Sequence, residues 1–177
     1  MDKKELRRQI REMKRAMTSE QIDAASARLG ELFLNCPQYK EAKTIYGYLP
    51  YNQEVRTVPM LEQAMKEGKR VAVPKCYGDE MRFIYMDDLS KVEKGYANIP
   101  EPIADDPVAD DPTALVLMPG MAFTKDGKRM GYGGGFYDKF LAAEPDHPTV
   151  ALCYDFQMVE DLPTEEYDIP VDCVLWA

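Results

Sequence analysis

The segment RMGYGGGFYDKFL, residues 129–141, places four glycines within five positions and an acid soon after them. Glycine permits positive φ angles and close backbone approach, so several N–H groups can point into one concavity that suits a phosphate. A helix predicted to begin at Phe136 would add its N-terminal dipole. Asp138 could bind a hard cation, or could simply interact with that dipole. A tight turn without a ligand is the alternative for the glycines.

Two named phosphate-binding motifs do not match this segment. A P-loop requires Gly-Lys-Ser/Thr, which the chain lacks. A dinucleotide fingerprint requires a third glycine where Phe136 stands and a turn directly after its strand, whereas Gly131 lies 13 residues beyond Met118. Asp155, twenty residues after Gly135, does mimic the ribose-binding acid. A dinucleotide-dependent oxidoreductase therefore stays an alternative.

The composition indicates one acidic domain. The chain has 177 residues and a formal net charge of −9, and this length predicts a single domain over residues 1–177. No stretch approaches the roughly 20 apolar residues of a membrane span, and the N-terminus lacks the apolar core of a signal peptide. We therefore expect a cytoplasmic protein without a membrane partner. The acidic charge argues against nonspecific nucleic-acid binding.

The N-terminal segment departs from this acidity. Residues 1–17 contain seven Lys or Arg against three Asp or Glu. Exposed charges are screened over about 8 Å at physiological salt, so local charges decide whether a phosphate binds. The four cysteines form no C-x-x-C pair and there is one histidine, so any metal would be a hard cation held by carboxylates.

The segments that must position these residues alternate between helices and strands. An apolar stripe at Leu6, Ile10, Met13 and Met17 predicts a helix over residues 2–17. A capping box from Thr18 opens a second helix over residues 19–35. Further helices are predicted over 57–66 and 136–143, and strands over 43–49, 69–74, 81–86 (nearer an edge), 114–119, 149–154 and 172–176. Residues 87–113 read as a long irregular excursion that packs over the domain.

This alternation predicts the fold class: an α/β protein with a three-layer, mainly parallel Rossmann-like sheet and helices on both faces. Ligands of such sheets bind beyond the carboxyl ends of the strands. The glycine loop follows the strand predicted over 114–118 on that side. A site is expected there.

The glycine segment also carries a family resemblance. MPGMAFTKDGKRMGYGGGFYDKFL, residues 118–141, resembles the signature of the 5-formyltetrahydrofolate cyclo-ligase (5,10-methenyltetrahydrofolate synthetase) family. Four more segments resemble the family in the same order: KKELR at 3–7, YLPYNQEVRT at 48–57, NIPEP at 98–102 and LPTEEYDIPVD at 162–172. The likeness covers nearly the whole chain.

The resemblance implies an ATP- and Mg²⁺-dependent ligase. Members of the family close 5-formyltetrahydrofolate into 5,10-methenyltetrahydrofolate and release ADP and phosphate. Phosphorylation of the formyl oxygen would turn a poor leaving group into a good one, so the protein mainly positions the reactants and neutralises charge. The implied partners are these small molecules, and we expect a monomer. A binding module without turnover is the non-catalytic alternative.

The resemblance also assigns site residues. Lys3 and Arg7, four apart on one helical face, would meet the ATP phosphates, although a solvated basic face is their plain structural reading. Asp138 and Asp168 would bind Mg²⁺. The remaining ATP-binding positions implied are Arg129, Met130, Gly131, Tyr132, Gly133, Gly134, Gly135, Phe136 and Tyr137.

Folate contacts are implied for part of the same loop, Tyr132, Gly133, Gly134, Gly135 and Phe136, and for Leu49 and Glu54. Glu54 would accept the pterin N–H donors, while an exposed acid at a strand end is its alternative. Tyr137 and Arg129 are the implied catalytic residues, although buried packing is the commoner role of such a tyrosine. The chain departs from the family pattern at Met130, Phe136 and Tyr167, and it lacks basic side chains at Tyr132 and Gly134, which are basic in some relatives.

Overall fold

A computed structural model describes residues 2–177 and shows a central sheet of six strands in the order β10-β9-β6-β1-β2-β3. All neighbouring strands are parallel except β2 and β3, which are antiparallel. The strands span Thr44–Tyr46 (β1), Arg70–Tyr77 (β2), Glu80–Met86 (β3), Leu115–Met118 (β6), Thr149–Cys153 (β9) and Cys173–Trp176 (β10). The predicted, mainly parallel sheet is confirmed, with β3 at its edge.

Helices cover both faces of this sheet. They span Lys3–Arg15 (α1), Ser19–Asn35 (α2), Pro37–Glu41 (α3), Val58–Lys66 (α4) and Phe136–Ala143 (α5). Because strand side chains alternate between the faces, Leu115 and Leu117 pack with α2, α3 and α4, whereas Val116 packs on the α5 side with Leu141. The predicted three-layer α/β arrangement is therefore confirmed.

The order of strands reverses next to β1. The chain continues from β1 to β2 on one side, and β6 returns to the other side of β1. Parallel α/β sheets open a crevice at such a reversal, outside the carboxyl ends of the strands. The segments that follow β1 and β6 therefore diverge around a space, which is where the cavity described below lies.

Several elements differ from the sequence-based predictions. The strand predicted over 43–49 is only three residues long because the chain turns into the loop that borders the cavity. The excursion 87–113 is not wholly irregular, since β4 (Val92–Lys94) and β5 (Pro100–Pro102) pair as a hairpin. A second hairpin, β7 (Ala122–Phe123) with β8 (Arg129–Met130), precedes the glycines. Such two- and three-residue strands are too short to show a period in sequence.

Helix α1 presents a different face to the protein from the one predicted. Ile10 is buried as expected, but Met13 is 44% exposed and Lys14 is only 7% exposed. The inward face consequently follows Lys3, Arg7, Ile10 and Lys14, which share the spacing of the apolar stripe. The prediction for Met13 was wrong because α1 turns Lys14 inward, toward Tyr132 of the glycine loop.

The capping box predicted at Thr18 is confirmed: its hydroxyl accepts from the Gln21 N–H and its own N–H donates to the Gln21 side chain. No helix among residues 2–177 is both long and apolar enough to span a bilayer.

Candidate active site

A cavity of about 610 Å³ lies at the carboxyl ends of β1, β2 and β6. This volume is in the range of small-molecule sites, roughly 300–1,000 Å³. Every site residue predicted from the sequence borders it: Lys3, Arg7, Leu49, Glu54, Arg129, Met130, Gly131, Tyr132, Gly133, Gly134, Gly135, Phe136, Tyr137, Asp138 and Asp168. The structure thus brings together residues from both ends of the chain, whereas their individual roles stay predictions.

The glycine loop connects β8 to α5 and borders the cavity with backbone. Gly133 has φ of +105° and Gly135 has φ of +70°, which L side chains rarely adopt. A Cβ at either position would meet no atom within 4 Å. The conformation, and not a lack of space, therefore selects glycine at these two positions, and the open side of the loop is free for a ligand.

The start of α5 faces the same cavity without a side-chain cap. Gly135 is the N-cap and no side chain bonds to the first turn there. The first N–H groups of a helix have no partner within the helix, and they carry the positive end of its dipole. Phe136, Tyr137 and Asp138 of this turn border the cavity. An anion in the cavity would supply the missing acceptor.

Arg129 and Asp138 form a largely buried pair behind the loop. The guanidinium donates to the Pro119 carbonyl at 2.8 Å and lies 3.5 Å from the Asp138 carboxylate, with side-chain exposures of 6% and 18%. The Ile169 N–H donates to the other Asp138 oxygen at 3.2 Å. Asp138 is therefore held by two chain segments, which is more than the dipole interaction of a first-turn acid.

The acids near the loop fit a lightly coordinated Mg²⁺ better than a closed metal cage. Within residues 2–177 no group of three or more His, Cys, Asp or Glu is arranged to hold a metal ion. Asp138 and Asp168 both border the cavity, and Asp168 accepts the Glu165 N–H at 2.7 Å. Mg²⁺ typically takes one or two carboxylates and completes its shell with water and substrate phosphates. The two acids fit that donor set.

Helix α1 lines the opposite wall with cations. Lys3, Arg7, Arg11 and Arg15 all border the cavity. The Arg7 Nε is buried and has no hydrogen-bond partner in the described part of the chain. A buried N–H without an acceptor is costly, so a ligand oxygen at this position would be favourable.

Glu54, in the loop after β1, is part of a polar chain that reaches the glycine loop. Its carboxylate accepts the Tyr51 N–H at 2.8 Å and the Tyr132 hydroxyl at 3.1 Å, and the Lys14 ammonium donates to the Tyr132 oxygen at 3.4 Å. Burial raises the pKa of Glu54, while the bond from Tyr51 and the charge of Lys14 oppose that rise. Burial lowers the pKa of Lys14.

Two tyrosines of the cavity, Tyr48 and Tyr137, have strongly raised pKa values. Burial raises the pKa of Tyr48 and of Tyr137 well above the ordinary value, and the nearby Glu54 charge adds to the effect. Both phenols therefore keep their protons at neutral pH.

Sequence reasoning missed Lys14 and the tip of the β4–β5 hairpin. Lys14 follows Arg7 by seven residues, two helical turns, so the helical period alone could have placed it on the same face. The hairpin tip carries positive φ at Ala97 (53°) and Asn98 (63°). It packs the Tyr96 ring against Phe136 of the glycine loop, with 5.1 Å between centroids. No local pattern signals this contact, because the two rings are forty residues apart.

The comparison with known families decides the identity of this arrangement. The sequence model of the 5-formyltetrahydrofolate cyclo-ligase family matches residues 1–177. The chain belongs to this family. The 5-formyltetrahydrofolate cyclo-ligase of Escherichia coli (strain K12) is 32% identical over 173 residues, which cover 94% of this chain and 95% of the relative. The cyclo-ligase of Mus musculus is 28% identical over 188 residues, covering 98% and 93%.

Solved structures agree with the cyclo-ligase assignment. The NMR structure of 5,10-methenyltetrahydrofolate synthetase from Aquifex aeolicus matches with a TM-score of 0.85 and 28% identity, over 99% of this chain and 90% of that one. The 5,10-methenyltetrahydrofolate synthetase of Mycoplasma pneumoniae matches with a TM-score of 0.76 and 24% identity, which supports the fold alone. The resemblance inferred from the motifs is therefore confirmed, and the chain is a member of a family of ligases.

Proposed function

We propose that this protein is an ATP- and Mg²⁺-dependent ligase that cyclises 5-formyltetrahydrofolate to 5,10-methenyltetrahydrofolate and releases ADP and phosphate. Membership of the cyclo-ligase family supports the overall reaction. One observation locates the reaction in this cavity. The uncapped start of α5 and its glycine loop border the same space as Glu54. A phosphate donor and a polar heterocycle can therefore meet there.

The phosphate side of the site is the glycine loop with α1. Main-chain N–H groups of the loop and of the first turn of α5 would donate to phosphate oxygens, and each such bond contributes about 1.5–3 kcal/mol. Lys3 and Arg7 would bind the same group from the opposite wall, where the buried Arg7 Nε has no partner within residues 2–177. This arrangement holds the triphosphate by charge and position.

The carboxylates that would hold the metal follow the glycine loop and come from the segment before β10. Mg²⁺, held by Asp138 and Asp168 together with phosphate oxygens, would neutralise the charge that develops during transfer. Arg129 orients Asp138 through their contact at 3.5 Å. The guanidinium is nearly sequestered from solvent, so water screens its charge less than that of an exposed arginine.

The folate side is the loop after β1. Leu49 is buried and would pack against the pterin, while Glu54 would accept its N–H donors. The formyl oxygen would attack the γ-phosphorus and displace ADP. The folate nitrogen at position 10 would then attack the activated carbon and lose its proton, and phosphate would leave. The Tyr137 hydroxyl, whose pKa is raised by burial, would donate to an oxygen of the transferred group.

A direct assay tests the proposal. Purified protein is mixed with 5-formyltetrahydrofolate, ATP and Mg²⁺, and the ultraviolet absorbance of the methenyl product is followed. Product is expected only when all three are present. Folded protein that binds both substrates without turnover would instead support the binding-module alternative.

The oxidoreductase alternative has less support from the geometry. The β7–β8 hairpin lies between β6 and the glycines, so the loop is not the direct strand-to-helix turn of a dinucleotide fingerprint. The cytoplasmic location, the single domain and the monomeric state stay part of the proposal. Light scattering on the purified chain tests the last of these.

A further inference from the structure

Three distant parts of the chain meet through one chain of side-chain contacts. Lys14 of α1 donates to the Tyr132 hydroxyl at 3.4 Å, and Tyr132 of the glycine loop donates to Glu54 at 3.1 Å. The Lys14 ammonium also lies 5.6 Å from the centroid of the Tyr132 ring. These contacts span 118 and 78 residues of sequence, so they join elements that no local interaction connects.

Lys14 is unusual among the cations of α1. Arg8, on the outer face, pairs with Glu5 and Glu12. Lys14 is 7% exposed and points to a phenol instead of a carboxylate. Burying an ammonium is costly without partners, so the fold keeps a charge at this depth at the expense of stability. No side chain between Arg129 and Asp138 is charged, and Lys14 therefore supplies a positive charge beside a loop that lacks its own.

We infer that Lys14 is a positioning residue for the proposed cyclisation, acting through Tyr132 to hold the Glu54 carboxylate where it accepts the N–H donors of the bound pterin. This inference rests on the proposed function. Lys14 need not touch the substrate. Its effect belongs to the folate side of the cavity, whereas Lys3 and Arg7 of the same helix belong to the phosphate side.

The groups that act on Glu54 and on its partners determine how Lys14 acts. Those that act on Glu54 are Lys14 of α1, Tyr48, Tyr51 and Arg56 of the segment after β1, Tyr132 and Tyr137 of the glycine region, and Tyr154 after β9. Arg11 and Cys153 act on Lys14, and Arg129 acts on Tyr132. Burial raises the pKa of Glu54, and both the Lys14 charge and the Tyr132 hydrogen bond lower it. Removal of either therefore raises the pKa of Glu54 further.

The pH profile of kcat/KM for 5-formyltetrahydrofolate tests this role. Lys14→Met keeps the apolar stem and removes the charge, and Tyr132→Phe removes the middle hydroxyl. Both variants should move the acid limb of the profile to higher pH and raise KM by about tenfold at neutral pH, the equivalent of one polar interaction. kcat should change by no more than about twofold, since the interaction binds ground and transition states alike.

Matched variants separate this role from a purely structural one. Lys14→Arg keeps the charge and should return the acid limb toward the wild-type position. Lys4→Met removes an exposed cation of the same helix and should leave the profile unchanged. Circular dichroism reports folding. If Lys14→Met does not fold, Tyr132→Phe tests the same contacts by removing the hydroxyl between Lys14 and Glu54.

The outcomes distinguish the two proposals. Wild-type protein without turnover contradicts the proposed function. Wild-type turnover together with an unshifted acid limb in folded Lys14→Met, or in Tyr132→Phe, overturns the role of Lys14 and leaves the cyclisation standing. An acid limb that is shifted in Lys14→Met but lies near the wild-type position in Lys14→Arg supports both proposals.

Discussion

At the scale of single residues, the Arg129–Asp138 pair explains why an acid stands in the first turn of α5. A first-turn carboxylate gains only about 0.3–1 kcal/mol from a helix dipole at an exposed site. Here the Asp138 carboxylate also lies 3.5 Å from the guanidinium of Arg129, whose side chain is only 6% exposed. Removing one member of such a buried pair leaves the other without compensation. The contact with Arg129 therefore accounts for an acid at position 138 independently of any metal.

Asp138→Asn tests the assignment of this acid. Activity should fall by at least about tenfold, and the Mg²⁺ concentration for half-maximal rate should rise, because both a ligand and the orientation of Arg129 change. Far-UV circular dichroism should show a folded protein. The matched control is Asp146→Asn, an exposed acid outside the cavity, which should behave as wild type. Undiminished activity in Asp138→Asn would remove this residue from the metal site.

Glu54 should limit stability in a pH-dependent way. Its pKa is raised in the folded protein, mainly by burial, so the folded state holds the proton to higher pH than the unfolded state does. The free energy of unfolding therefore falls as the pH rises through the pKa that Glu54 has in the folded state. Below the pKa that it has in the unfolded state, the penalty is absent. Glu54→Gln carries no such penalty.

Thermal unfolding of Glu54→Gln and wild type from pH 4 to pH 8 measures this penalty. The variant should melt at a higher temperature at neutral pH, and its advantage should shrink as the pH falls toward the ordinary pKa of glutamate, about 4.3. Folate binding should weaken in the same variant, a trade of stability for function. An advantage that is constant across this range would contradict the pKa assignment.

At the scale of elements, α1 divides its cations between two faces. Arg7 lines the cavity and its Nε has no acceptor in the described chain, whereas the adjacent Arg8 pairs with Glu5 and Glu12. Adjacent residues on a helix lie about 100° apart, so one of them faces the cavity while the other faces solvent. The pair therefore offers an internal control for phosphate binding.

Arg7→Ala should weaken ATP binding by about 10- to 150-fold, the equivalent of about 1.5–3 kcal/mol for a charged hydrogen bond. Arg8→Ala should leave ATP affinity within about twofold, since exposed ion pairs contribute little. Calorimetric titration with a nonhydrolysable ATP analogue and Mg²⁺ measures both. Equal losses in the two variants would indicate a diffuse electrostatic effect and contradict a specific contact.

The effect of the glycine loop on ATP binding can be distinguished from the general cost of placing alanine at a positive φ. Gly133 and Gly68 have φ of +105° and +85°, and a Cβ at either meets nothing within 4 Å. Gly68 ends α4 in a Schellman motif, in which the Lys69 N–H donates to the Ala64 carbonyl at 3.0 Å. It lies outside the cavity.

Alanine at either glycine should lower the free energy of unfolding by at least about 1 kcal/mol. Only Gly133→Ala should also reduce ATP affinity, because only there does the backbone face the ligand. Urea denaturation and calorimetric titration give the two quantities. Normal ATP affinity in Gly133→Ala would show that this part of the loop does not contact the nucleotide.

At the scale of the whole molecule, the walls of the cavity come from the N-terminal helix α1 and from segments in the middle and C-terminal parts of the chain. A ligand that bridges these walls should stabilise the folded state by mass action. At a concentration one hundred times its dissociation constant the gain is about 2.7 kcal/mol. For a chain of this size that gain corresponds to a rise in Tm of roughly 5–11 °C.

ATP with Mg²⁺ should therefore raise Tm by that order, and NAD or NADP at equal concentration should not. Differential scanning calorimetry measures the shift, and Arg7→Ala should reduce it. Protection by NAD or NADP alone would favour the oxidoreductase alternative over the proposed ligase.

The sequence by itself determined the order and type of the main elements. The bounds of α5 and the strands β6, β9 and β10 follow from apolar runs, turn residues and helical period, which are short-range steric and hydrophobic effects. The glycine loop and Asp138 could likewise be selected, because their residue types suit a phosphate and a cation. The family resemblance then assigned Lys3, Arg7 and Glu54 to the same site.

Only the tertiary structure decided which distant residues meet. The inward turn of Lys14 in place of Met13, its contact with Tyr132, and the packing of Tyr96 on Phe136 depend on how α1 and the β4–β5 hairpin lie on the sheet. Such contacts join residues that are many positions apart, and no local period encodes them. The Lys14–Tyr132 contact forms because a buried polar group must find a partner, and the rings of Tyr96 and Phe136 pack because aromatic pairs are favourable.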